Sequence, residues 1–460
     1  MMPFGSFARA RSLLGVLLVV ALAAACSGGG GSGGDEESSL GPASRLASDE
    51  SVLAHAKQYK GEKLTLIVPD PLDKWLGPGT KEFEKQTGVD VEFQIVPFDQ
   101  LLSKYSTLAT GQDSSVDMYF SWAAITAQMG PLLFQDLSAP LKGVSAEYSP
   151  AALSSMQAGG KTYGLPYQTS IQIMYYNKAL FTAAGLDPAK PPATWTEFVD
   201  AAKAVKSKGG ANASGFVTGG QTANDVFAGL WLPALNSADG HMYSSDLRKA
   251  TVDTPQSRAA MQALADLGKS GAVSPQTWSN NGSQDAALSF AKGNVGMTWN
   301  FPLAYPIVAD PKQSDMKLDD LGTALIPGVE LESGSVNGAE GIAVSRYSEN
   351  QAAALDYVAY ITSPTQQKAL SLGEAKLLPA RTKSLSDKDV VKAIPVAPLV
   401  AKQGEFPADR AGSPFYNDVS EVVAKWVGDV MRKDLDPGEA TKGMQREVTK
   451  VVDDYWADNG

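Results

Sequence analysis

The stretch Lys63-Leu64-Thr65-Leu66-Ile67-Val68, stopped by Pro69-Asp70-Pro71, decides the fold. A short apolar run bounded by prolines reads as a buried strand. Residues 80–87 then predict a helix closed by Gly88, and residues 89–96 alternate as a second strand. Strand, helix, strand implies a parallel-type α/β sheet flanked by helices. Residues 99–110 continue as a helix and 116–120 as a third strand, whose carboxyl end carries Ser121 and Trp122. Ligands of open α/β sheets collect outside the carboxyl ends of strands, so Trp122 is a candidate for stacking on a ligand, with core packing as its alternative. Asp70, after the first strand, is placed to accept from ligand hydroxyls or to cap the turn between its two prolines.

Upstream, Arg9 and Arg11 precede an apolar run from Leu13 to Ala24 that ends in small residues and Cys26, the one cysteine of the chain. Twelve residues fall short of the roughly 20 needed to span a bilayer, so residues 1–25 read as a signal peptide. Leu22-Ala23-Ala24-Ala25-Cys26 is similar to a bacterial lipobox, in which the cysteine becomes the lipidated first residue. Ser27 to Gly34, SGGGGSGG, has no side chains to pack, and with the acidic run after it predicts a flexible tether over 26–61. Some 35 such residues reach on the order of 30–35 Å. A lipidated Cys26 leaves no thiol for disulfides or thiolate metal sites.

Downstream, helices are marked by caps: Thr194 with Glu197, Ser348 with Gln351, Ser363 with Gln366, and Asp436 with Glu439. Ala440, Met444, Val448, Val451, Val452 and Tyr455 recur at helical spacing and read as core. Trp195 and Trp426, among apolar neighbours, read the same way. The 460 residues fit two lobes rather than one core, and the formal net charge of −11 argues against nucleic acid and anionic lipid as partners.

The segment from Gly160 to Pro166, GKTYGLP, followed by YQTSIQIMYYNKALFTAAGLDP and TWTEF, closely resembles the family-1 extracellular solute-binding proteins of sugar ABC importers. FAKGNVGMTWNFPLAY (290–305) and NGAEGIAVS (337–345) carry the same resemblance, and RAGSPFYNDVSEVV looks most like actinobacterial trehalose- and maltose-type receptors. It covers nearly all of residues 62–455. The resemblance implies a two-lobed periplasmic-binding-protein fold with the ligand cleft between lobes: lobe one from 62–167 plus 341–382, lobe two from 168–340 plus 383–460. It also implies a lipid-anchored monomer at the extracytoplasmic face, a sugar ligand, ABC permease subunits as partners, no cofactor, and hinge closure around the ligand.

A sugar presents hydroxyl edges and C–H faces, so its pocket combines hydrogen-bonding groups with aromatic rings. An extended backbone at 297–301 points Trp299 and Phe301 to one face, as stackers or as core. Trp231 lies in a segment that resembles the family's Trp-rich cleft stretch. By resemblance, Gln168 and Ser170 follow the first lobe crossing, Glu340 falls at a cleft position, and Arg410 aims its planar fork at ligand hydroxyls or pairs with Asp409.

An enzyme is the main rival. The two histidines, His55 in the tether and His241 in a polar loop, supply neither a Ser-His-Asp triad nor a histidine zinc site. Acidic residues are too numerous to single out a glycosidase pair. A sensor role, and a glycerophosphodiester or other polyol ligand, stay open. Arg410 alone is nominated as a cleft cation, so a neutral disaccharide or short oligosaccharide leads.

Overall fold

The computed structural model describes Leu46 and residues 48–459; Cys26 and the signal segment lie outside them. Among the described residues eleven strands form: β1 (Lys63–Val68), β2 (Asp90–Ile95), β3 (Met118–Trp122), β4 (Gln157–Ala158), β5 (Lys161–Thr162), β6 (Gly164–Gln168), β7 (Ile173–Asn177), β8 (Ser214–Val217), β9 (Val295–Asn300), β10 (Leu321–Ala324) and β11 (Glu340–Val344). One sheet runs β2-β1-β3-β11-β6 and the other β10-β7-β9-β8, with β4 and β5 a short pair.

The expected parallel pairing holds where crossover helices dictate it: β1 is parallel to β2 and β3, and β8 to β9. Both sheets are nonetheless mixed. β11 runs antiparallel to β3 and β6, and β7 antiparallel to β9 and β10. The direction of β11 follows from its entry into the first sheet from the second, a long-range return that no local periodicity encodes.

Helix Leu72–Thr87 begins eight residues earlier than expected, through Gly77-Pro78-Gly79. Leu72, Leu76, Thr80, Phe83 and Thr87 form one buried stripe, and their burial outweighs the poor helix propensity of the glycines and proline. Gly79 has a packing reason: a Cβ there would lie 2.4 Å from Gln366 Oε1. β3 sits two residues later than expected, at 118–122.

The tether expectation fails at its carboxyl end. Residues Asp49–Ala56 form a helix started by a Ser48–Ser51 capping box, with Val52 and Ala56 buried. His55 is therefore part of the folded body, its Nδ1 2.6 Å from the buried Asp356 carboxylate. The Thr194–Glu197 box forms. Ser348 does not cap its helix: its hydroxyl donates to Asp117, whose other carboxylate oxygen accepts from the Thr65 amide at 2.8 Å, and accepts from the Asn350 amide at 2.9 Å rather than from that of Gln351; the cap position passes to Asn350. Ser363 and Asp436 each accept from the expected amide, but Gln366 turns to Tyr360 and Glu439 to Lys442. Among the described residues no helix is long and apolar enough to cross a membrane.

One core gathers residues between 46 and 167 with 339–380 under the first sheet. Two further clusters, drawn mainly from 171–329 and from the helices after Leu385, pack under the second. Between the sheets the chain segments are stitched edge to edge. The Thr169 amide donates to Leu378 O at 2.9 Å, the Gly338 amide to Ser170 O at 2.5 Å, and the Gln172 amide to Val336 O at 3.3 Å.

Candidate ligand-binding cleft

Trp122 ends β3 where that strand meets the other lobe, half-buried and packed against residues of both cores. The exposed Phe98, just past the carboxyl end of β2, stacks on it with ring centres 6.2 Å apart. From the C-terminal lobe-two segment, Tyr416 meets the indole edge-on at 5.5 Å, and Arg410 lays its guanidinium 4.8 Å from the ring centre. Arg410 is buried. Its Nε donates to Tyr416 Oη at 3.2 Å, Nη1 to Asn337 O at 3.3 Å and Nη2 to Asn224 Oδ1 at 3.4 Å, and Tyr416 Oη also donates to Asn224 Oδ1 at 2.9 Å. The expected alternative, an Asp409 ion pair, does not form; Asp409 accepts from the Ala411 amide instead.

Glu340 opens β11 and pairs in the ladder with Trp122 on one side and Gln168 on the other. Its carboxylate accepts from Tyr167 Oη and, at 2.6 Å, from Gln168 Nε2. Burial raises its pKa above the usual glutamate value, while the two hydrogen bonds and the Arg410 charge pull the other way. Burial, with the Glu340 charge second, likewise raises the Tyr167 phenol.

On the lobe-two side a pocket of about 40 Å³ is lined by Gln172, Thr218, Asn224, Trp299, Phe301 and Arg410. Such a volume admits only part of a sugar ring. Phe301 is half-buried and sits against Gly338, where a Cβ would lie 2.5 Å from its Cε1. Any larger residue at 338 would displace that ring.

Trp299 reaches the pocket without offering a ring face, and the other expected residues fall elsewhere. Trp299 shares its face with Phe301, but its ring is packed on Phe216, Phe198 and Trp195 at 4.8, 5.2 and 5.4 Å, so its faces belong to the core. Trp231 is fully buried, its Nε1 donating to Met242 Sδ at 3.1 Å, and it lies in lobe two's core rather than the cleft. Asp70 is exposed and ion-paired to Lys74 at 2.9 Å. Ser170 is buried in the stitching between the sheets. Phe98, Tyr167, Gln172, Asn224 and Tyr416 escaped the sequence reading. Phe98 obeys the strand-end rule that marked Trp122, and Tyr416 lies six residues after Arg410 in a quoted segment.

Two roomier hollows, of about 350 and 560 Å³, flank helix Leu72–Thr87, but each draws on the first lobe alone. Among the described residues no group of three or more metal-ligating side chains gathers.

Residues 80–398 match the family described as bacterial extracellular solute-binding protein. A probable ABC transporter-binding protein of Deinococcus radiodurans is 28% identical over 394 residues, 82% of this chain and 90% of that one. The fold is shared with the maltose-bound MalE3 of T. maritima (TM-score 0.72, 22% identity, 84% of this chain and 99% of that one). It is also shared with the GacH receptor of Streptomyces glaucescens, solved with acarbose (TM-score 0.72, 24% identity, 85% and 99%). With a two-lobed fold and two-thirds of its length matched, the chain belongs to the bacterial extracellular solute-binding proteins, a family of binding proteins and not of enzymes.

Proposed function

We propose that this protein captures a neutral sugar, a disaccharide or short oligosaccharide, and delivers it to the permease subunits of a carbohydrate ABC importer. One observation carries the reading: aromatic rings and convergent polar groups meet between the lobes, Trp122 and Phe98 from one side, Glu340 at the boundary, and Arg410, Asn224 and Tyr416 from the other. Rings suit C–H faces, and a guanidinium beside a carboxyl suits hydroxyls. One cation countered by a nearby acid suits a neutral ligand better than a phosphate. The fold neighbours solved with maltose and acarbose support the same class.

Lobe one is taken as 62–167 plus 341–382 and lobe two as 168–340 plus 383–460, closing as a monomer about the stitched segments between them. Cys26 would carry the lipid that holds the body at the outer face of the cell membrane. Intact mass of membrane-extracted protein is expected to show a diacylated N-terminal Cys26, and Cys26→Ala to release the protein.

A thermal-shift screen with maltose, trehalose, ribitol and glycerophosphocholine tests the ligand class. A cognate sugar at 100 times its Kd stabilises by about 2.7 kcal/mol. Response to glycerophosphocholine alone would replace the neutral-sugar reading, and release of glucose from the sugars would refute binding without turnover.

A further inference from the structure

Gln172 and Trp299 are both more than nine-tenths buried, and both line the small lobe-two pocket. Gln172 Oε1 and Trp299 Nε1 nevertheless have no hydrogen-bond partner. Buried polar groups are nearly always paired, because an unmet donor or acceptor keeps its full desolvation cost. Both atoms belonging to one pocket is therefore informative.

Strand register explains the meeting. Met174 of β7 lies opposite Trp299 of β9, and Ile173 opposite Asn300. Gln172 is two residues before Met174 and Phe301 two after Trp299, so all four side chains share one face. Gln172 and Trp299 are diagonal neighbours on that face. The packing of Trp299 on Phe216, Phe198 and Trp195 fixes its ring.

We propose that Gln172 and Trp299 form a hydroxyl-reading subsite beside Phe301, in which one ligand hydroxyl donates to Gln172 Oε1 and accepts from the Trp299 indole N–H. The chemistry selects the group. A hydroxyl is donor and acceptor on one atom, whereas an ionised carboxylate or phosphate oxygen only accepts and an ammonium only donates. With the Gln172 amide oxygen turned to the pocket, an anion would face it with lone pairs, and a cation would face the indole N–H with another N–H. The subsite thus takes a free hydroxyl or hydroxymethyl group of a sugar or polyol. This inference rests on the sugar-receptor reading and gives Trp299 an edge-on role in place of ring stacking.

The test is titration calorimetry of wild type, Trp299→Phe, Gln172→Met and the double variant, using whichever of maltose, trehalose or ribitol raises the wild-type melting temperature most, and then its monodeoxy analogues. Each single variant is expected to bind about 3- to 15-fold more weakly, the worth of one hydrogen bond. The double variant should lose less than the product of the two, since both residues serve one hydroxyl. One deoxy analogue should bind wild type more weakly by at least a similar factor, yet bind the double variant as well as the parent sugar does. Unchanged affinity in the variants, or weakened affinity with every deoxy preference intact, would overturn the subsite while leaving the receptor reading standing. Wild type that binds none of the three would defeat the receptor reading and the subsite with it.

Discussion

Trp122 and Trp299 are the same side chain in opposite roles. Half-buried between lobes, Trp122 presents ring surface to Phe98, Tyr416 and Arg410, and Trp122→Ala is expected to weaken sugar binding by about 1.5–3 kcal/mol, roughly 10- to 150-fold by calorimetry. Trp299 is closed in by three aromatic rings, so Trp299→Ala should cost about 3–5 kcal/mol of folding stability in denaturant melts. Glu340 adds a pH signature. Its folded pKa is raised, so between the unfolded value near 4.5 and the folded value the native state binds more protons, and stability falls as pH rises through that window. Glu340→Gln cannot ionise. The melting temperature of Glu340→Gln relative to wild type should therefore climb from pH 4 to pH 7, and a flat difference would mean that the carboxyl is not desolvated.

At the scale of elements, close backbone approach decides more than propensity. β8 packs directly on helix Trp195–Lys208: a Cβ at Gly215 would lie 2.3 Å from the Ala202 carbonyl oxygen. Strand propensity alone favours Ala over Gly, yet Gly215→Ala should destabilise by about 1–3 kcal/mol, read as a lower denaturant midpoint. Thr194→Ala removes the acceptor of the Glu197 amide and should cost about 1 kcal/mol. That cap was legible because Thr, Glu and their spacing form a purely local hydrogen-bond pattern. Ser348 was misread because its oxygen accepts from the Asn350 amide while its hydroxyl is held by Asp117, more than two hundred residues away.

For the whole molecule, the Arg410–Trp122 contact joins a lobe-two cation to a lobe-one ring, so it exists only while the lobes are together. Saturating sugar should lower the radius of gyration measured by small-angle scattering, and Arg410→Ala should bind the sugar more weakly and show the compaction only at higher concentration. A radius unchanged by bound sugar would rule out closure as the mode of capture.

Local patterns in the chain determined the first three strands, several helices and the α/β class, because apolar periodicity, caps and proline breaks act within one or two turns. The quoted motifs extended that to the two-lobed family. Tertiary structure alone decided the rest. β11 runs antiparallel because it returns from the other lobe, and residues Asp49–Ala56 are helix rather than tether because the first lobe offers them a surface. Period-two alternation placed Trp299 and Phe301 on one face, but which part of that face is core and which is cleft depends on helix Trp195–Lys208 covering Trp299 while Phe301 abuts Gly338. Likewise Arg410 becomes a cleft residue only when Tyr416, Asn337 and Asn224 hold its guanidinium against Trp122, an arrangement assembled from four distant stretches of chain.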